Sequence, residues 1–374
     1  MGFVTLLLSF FVNTKTLLRS YKKRLHGNTC WLSSFIFRPM AGVVDALTST
    51  DLEGFSGFAV RSSPYIPGRL AVAAAANYGI AGNGRLLVLD QMMAFTKLTT
   101  TAALFDVAWS ELSASQLLGA GADGSIRLYD LEVPTEGRPL TAFAEHLAEV
   151  VSLDWNSSAK DTFCSSSWDG TVKVWSPERA ASMVTFAEHG ACHVYEARWA
   201  PHQPRSLLTV AGDGTARLWD VAVGPSATAV VACGGGEVLS ADWSKYDPNV
   251  FATGTVDCAV RLWDARRLLT PVATRQGHSL AVRRVRFSPH VPTSILSASY
   301  DATVCLWGAA VVDANGTGEP PTAPVGGADV AFQRFAHHTE FVQGLEWSLF
   351  EAGVATSCGW DGRLCAWRAI PEGI

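Results

Sequence analysis

The chain has 374 residues and a mass of 40.0 kDa, with 48% apolar and 17% charged residues, which excludes a disordered or solvating tail. A formal charge of −5 argues against a nucleic-acid binder. The eight Cys form no C-x-x-C pair and the His residues fall at no zinc-finger spacing. We therefore expect no metal, and thiols suited to a reduced compartment.

Residues 1–39 carry six basic residues (Lys15, Arg19, Lys22, Lys23, Arg24, Arg38) and no acid. The remainder holds 23 basic against 34 acidic residues, a net of −11. The apolar run at 3–12 is too short to span a bilayer. Its charges follow it, the reverse of a secretory leader. We read 1–39 as an extension outside the fold, with Met40 opening the folded protein and 40–374 forming one domain.

From residue 82 onward one pattern recurs: a small or aromatic residue, Asp, a small residue, Thr or Ser, alternating apolar positions, then Trp. It reads GNGRLLVLD (82–90), ADGSIRLYD (122–130), WDGTVKVW (168–175) and GDGTARLWD (212–220). It continues as VDCAVRLWD (256–264), YDATVCLW (300–307) and WDGRLCAW (360–367). The turn residues are Asn83, Asp123, Asp169, Asp213, Asp257, Asp301 and Asp361, spaced 40, 46, 44, 44, 44 and 60 apart. Seven units of this length predict an all-β fold, a seven-bladed β-propeller of the WD40 class. The long interval is assigned to a Pro/Gly-rich insertion at about 313–328.

Each unit reads as four short strands. In the third these are 150–155, 162–167, 171–175 and 182–187, with Asp-Gly as a tight turn. Only seven residues follow Trp367, too few for another strand and turn. The segment around 43–55 is therefore expected to supply the last blade's outer strand and close the ring, which removes open sheet edges.

The turn Asp can accept amide hydrogen bonds. His146, His189, His278 and His338, 23 or 24 residues upstream of Asp169, Asp213, Asp301 and Asp361, are placed to bridge to it. Trp175, Trp219, Trp263, Trp307 and Trp367 end third strands, where each can pack between blades and donate its N–H inward. We read all of these as bracing.

No phosphate-binding Lys loop, nucleophile elbow or metal-ligand helix motif occurs, so no catalytic residue or cofactor is expected. The run GIAGNG (79–84) lies between strands of the first blade and reads as a β-turn, with no helix for a phosphate. The loops leading into the inner strands share one end of the ring with the Asp turns. There the sequence sets Glu149, His193, Glu237 and Glu340, with Phe105, Tyr195 and Phe341 beside them and Trp168, Tyr300 and Trp360 just before turn Asp residues. An acidic, aromatic rim on an acidic body suits a short basic, amphipathic segment.

GFAVRSSP (57–64) and RLAVAAAANYGIAGNGRLLVLD (69–90) resemble the opening blade of the peroxin-7 family. LFDVAWSE (104–111), SSSWDGTVKVWSP (165–177) and GHSLAVRRVRFSP (277–289) resemble it too, and the likeness spans 57–367. The resemblance implies a non-enzymatic receptor for the type 2 peroxisomal targeting signal, an N-terminal leader of the form Arg/Lys-Leu-x5-His/Gln-Leu. It implies cargo capture in the cytoplasm and delivery to the peroxisome, or a glycosome, with a co-receptor such as a long form of peroxin-5 and with docking peroxins of the membrane. On this reading Glu149 or Glu237 pairs the leader's Arg, and the aromatics hold its Leu face. Where family members often carry an acid before the LFD segment, this chain has Thr101, Ala102 and Ala103. The alternative is a substrate receptor of a cullin-type ubiquitin ligase, from the WDxR box at Trp263–Arg266, or a general assembly scaffold.

Overall fold

The computed structural model describes residues 46–133, 138–292, 294–308 and 333–370. The extension at 1–39 and the insertion at 313–328 lie outside the described residues. Alternating apolar and polar positions broken by Asp-Gly turns fold as antiparallel strands, because period 2 puts every second side chain on one sheet face. Seven four-stranded antiparallel sheets result. The first blade comprises Ser56–Ser62, Arg69–Ala75, Gly84–Asp90 and Met93–Thr100. The inner strands of blades 2 to 7 are Leu104–Trp109, Val150–Trp155, Val194–Ala200, Val238–Trp243, Val282–Phe287 and Val342–Trp347.

The ring closes as the end residues require. Ala46–Asp51 is the outer strand of the seventh blade and pairs with Arg363–Arg368, from Ala46 opposite Trp367 to Asp51 opposite Arg363. Leu52 N then donates to Gly362 O at 2.7 Å, so the closing strand runs directly into the next blade.

The apolar core lies between blades. Leu118, Ile126 and Phe143 of blade 2 pack on Val150, Trp155, Phe163 and Trp175 of blade 3, and similar clusters recur around the ring. Two sets of Trp do this work. One set ends third strands. The other, Trp109, Trp155, Trp199, Trp243 and Trp347, stands at the ends of inner strands, with Phe287 in that place in the sixth blade and Ser62 in the first. Removing one such indole costs about 3–5 kcal/mol through lost burial and the cavity left behind.

Every inner strand carries a register shift near its start: at Phe58, Phe105, Val151, Tyr195, Leu239, Arg283 and Gln343. A bulge adds one residue to one strand and re-aims its side chain. Seven bulges at one level give a ring of seven re-aimed side chains at one end of the central channel. The GIAGNG run also differs from a plain β-turn, because a single 3-10 turn, Ala76–Gly79, precedes and overlaps it.

Candidate functional site

The turn Asp residues are occupied by the fold. Asp169 accepts from Thr171 N (2.9 Å), Thr171 Oγ1 (2.6 Å), Leu147 N (2.9 Å) and His146 Nδ1 (2.9 Å). The Asp213–His189, Asp301–His278 and Asp361–His338 pairs are built alike, at 2.9, 3.0 and 3.0 Å. Each His Nε2 meets a second-strand hydroxyl at 2.7 Å: Ser165, Thr209, Ser297 or Ser357. Trp175, Trp219 and Trp307 donate Nε1–H to the first three of those hydroxyls, and Trp263 donates to Thr253 in a blade without such a His. Trp367 departs from the pattern. Ser357 is shared by His338 and His337 (2.7 and 3.2 Å), and Trp367 Nε1 has no partner among the described residues.

Electrostatics follow this geometry. Burial opposes ionisation of Asp169, Asp213 and Asp301, yet their His and Thr hydrogen bonds hold them well below the usual carboxylate range. Burial also disfavours the charged form of His278, but Asp301 and Cys305 together outweigh it and lift the imidazole to about 9. Asp123 and Asp257 have no His. They pair instead with Arg127 and Arg261 on the adjoining third strands.

At the bulged end, aromatic rings touch in sequence around the mouth. Tyr300 packs on Phe341 (4.8 Å between centroids), Phe341 on Trp360 (5.1 Å), and Trp360 on Tyr78 (5.4 Å) and Phe58 (6.1 Å). Phe58 meets Phe105 (5.1 Å), Phe105 stacks on Trp168 (6.4 Å), and Trp168 stacks on His193 (5.0 Å, 18° between planes). His193 then meets Tyr195 edge-on, and Tyr195 Oη donates to Glu237 at 2.6 Å. Burial, with Glu237 beside it, pushes the Tyr195 phenol far up, so it stays a donor. The structure thus joins Phe105, Trp168, His193, Tyr195 and Glu237 in one run, and joins Tyr300 to Trp360 through Phe341.

Glu149 and Glu340 stand apart. Their carboxylates have no hydrogen-bond or ion-pair partner among the described residues. Glu340 is exposed and Glu149 half-buried. Sequence reasoning missed three members of this end. Phe58 and Tyr78 bridge the two aromatic runs, and Arg283 adds a cation, donating to Gln343 Oε1 (3.0 Å) and Leu239 O (3.3 Å). Phe58 and Arg283 occupy bulge positions, which leave no mark in hydropathy.

Below the mouth the channel is filled by charge. Glu196 is fully buried and accepts from Arg198 (2.7 Å), Arg284 (2.7 Å), Arg286 (2.9 Å) and Ser240 Oγ (2.6 Å). Arg61 bridges Asp106 (3.3 Å) and Glu346 (2.9 Å). Burial lowers Arg284 to about 9, with Glu196 opposing. A ligand at the mouth therefore meets a floor of paired ions, since opening such buried pairs is costly. The far end holds a cavity of about 200 Å³ whose walls include Arg61, Glu111, Asp154 and Arg198. In the WDxR box, Arg266 folds back onto Asp264 at 2.7 Å. Among the described residues no helix is long and apolar enough to cross a membrane.

The family described as WD domain, G-beta repeat matches residues 137–176, 181–220, 228–264 and 269–308. A mouse protein named peroxisomal targeting signal 2 receptor is 49% identical over 323 residues, covering 85% of this chain and 95% of its own length. The Saccharomyces cerevisiae protein of the same name is 34% identical over 376 residues, covering 85% and 98%. Peroxisome biogenesis protein 7 of Arabidopsis thaliana is 46% identical over 320 residues, covering 84% and 95%. With such identity sustained around the whole ring, the chain belongs to the peroxisomal targeting signal 2 receptor family of WD-repeat propellers.

Proposed function

We propose that the chain is a non-enzymatic receptor that binds, at the aromatic mouth, the N-terminal type 2 targeting leader of matrix proteins. It captures them in the cytoplasm and delivers them to the peroxisome or a related organelle. A co-receptor such as a long form of peroxin-5 and docking peroxins of the membrane are its partners on this reading. The propeller domain, 40–374, carries the binding, with 313–328 as an insertion and 1–39 as an extension outside it.

The observation that carries the proposal is the run of touching rings beside the unpaired carboxylates of Glu149 and Glu340, in a chain of this family. A leader helix of the form Arg/Lys-Leu-x5-His/Gln-Leu has an apolar face and a cationic end. Aromatic rings offer that face large, rigid contact area at low entropic cost. A carboxylate left unpaired on the rim steers the cation and fixes the helix direction. Arg283 opposes a cation at its own side of the mouth, which favours Glu149 over Glu237 as the partner of the leader's Arg.

A pull-down with a leader-tagged cargo tests this. The tagged cargo is retained, and changing its Arg to Glu abolishes retention. Recovery of a ligase adaptor with no cargo capture refutes the proposal.

A further inference from the structure

Asn77, Tyr78 and Gly79, in the connection between Arg69–Ala75 and Gly84–Asp90, have φ of 48°, 58° and 75°. Three left-handed residues in a row are costly for L-residues other than Gly, and Asn tolerates the region better than Tyr. The fold holds them by local bonds: Ala76 N to Asn83 O (2.9 Å), Ile80 N to Asn77 O (3.2 Å) and Asn77 Nδ2 to Ala81 O (3.3 Å). Gly79 is required twice over. Beyond its φ, a Cβ there would lie 2.7 Å from Phe105 and 2.9 Å from Phe58, two members of the mouth.

At the centre of this strained run stands an aromatic residue. Tyr78 is 44% exposed, lies over Trp360 at 5.4 Å between centroids, and Trp360 beneath it is only 8% exposed. Glycine would hold the same backbone without strain, and close to half of the tyrosine stays open to solvent. A bulky residue kept where the backbone prefers glycine, with its ring turned to solvent at a functional mouth, stores strain for something outside the fold.

We propose that Tyr78 is a specificity-determining residue, a preset aromatic flap whose exposed ring face, backed by Trp360, packs on one leucine of the bound leader. The inference rests on the mouth being the leader-binding site. It goes further in naming the residue that reads the apolar side of the leader, as distinct from the carboxylates that read its charge. The ring's hydroxyl makes no hydrogen bond among the described residues, so contact area is what it offers.

The test uses the full chain and a fluorescein-labelled leader of the stated pattern, with anisotropy titration and thermal unfolding for each variant. Tyr78→Gly is expected to melt no lower than the parent and to bind about tenfold more weakly, because strain is released while ring contact is lost. Tyr78→Phe keeps parental affinity. Against a leader with its leucines changed to Ala, the difference between Tyr78→Gly and the parent disappears. Trp168→Ala separates the two levels of inference. If Trp168→Ala weakens binding and Tyr78→Gly does not, the flap is refuted and the mouth stands. If neither changes affinity, the mouth reading falls and the flap with it. A Tyr78→Gly protein that melts well below the parent shows the ring to be structural and overturns the proposal.

Discussion

Replacing Asp301 with Ala tests the bracing of a blade more sharply than any other single change, because the loss must depend on pH in a stated direction. The Asp301 side chain is almost wholly buried and accepts from Thr303 N (3.0 Å), Thr303 Oγ1 (2.6 Å), Ser279 N (2.9 Å) and His278 Nδ1 (3.0 Å). Ser279 is exposed, so water replaces that bond. The lost Thr303 contacts cost roughly 1 kcal/mol. His278 contributes the larger part. Its folded-state value, about 9, lies above the ordinary 6.5, an interval worth roughly 3 kcal/mol, of which Asp301 supplies part and Cys305 the rest. A group raised in the folded state adds stability that is complete below its unfolded value and disappears as pH rises through its folded one. Asp301→Ala should therefore cost roughly 2–4 kcal/mol at pH 6 and roughly 1 kcal/mol at pH 9.5. Urea unfolding followed by tryptophan fluorescence at both pH values measures the difference. An equal loss at the two pH values would refute the assigned His–Asp coupling, and a loss under about 0.5 kcal/mol at pH 6 would refute the bracing itself.

Glu149→Lys is expected to weaken a basic leader about tenfold in anisotropy titration, with an unchanged melting temperature and a flatter salt dependence. Burial, with His338 beside it, lowers His337 to about 4, so the parent loses stability as pH falls from 6.5 through that value; His337→Gln should flatten this limb in melting scans. Trp307→Phe breaks a 2.7 Å hydrogen bond to Ser297, whereas Trp367→Phe breaks none among the described residues. The first should cost about 1 kcal/mol more than the second in chemical denaturation, and equal costs would contradict the assignment. A chain beginning at Leu52 lacks the partner of Arg363–Arg368, and light scattering should detect self-association through that uncovered edge.

The number of blades, the closing strand and the four His–Asp pairs were legible because each rests on spacing. Asp169 and His146 announce themselves by recurrence, and a turn needs Asp-Gly whatever surrounds it. The aromatic residues flanking the turns, such as Trp168 and Trp360, were visible for the same reason. The bulges were not. Phe58 and Phe105 sit in largely apolar runs and Arg283 in a run of Arg and Val, all of which read as plain strand, and the extra residue that re-aims them depends on pairing across the blade. Nor was the ion-filled channel. Glu196 and Arg284 lie 88 residues apart on different inner strands, and only ring closure makes them neighbours. Tyr78 escaped because left-handed backbone at a tyrosine contradicts local preference, the kind of departure that functional positions concentrate.

Ring closure also bears on how the molecule is made. Ala46–Asp51 leaves the ribosome before the seven blades described above, yet its sheet partner among the described residues, Arg363–Arg368, follows about 310 residues later. At ordinary elongation rates the first strand waits on the order of tens of seconds with its edge bare. Six blades can assemble in order behind it, but the seventh cannot finish until Arg363–Arg368 has emerged. Nascent chains of this protein should therefore depend on chaperones until that strand emerges, and a ribosome stalled before it would release a horseshoe with two sticky ends.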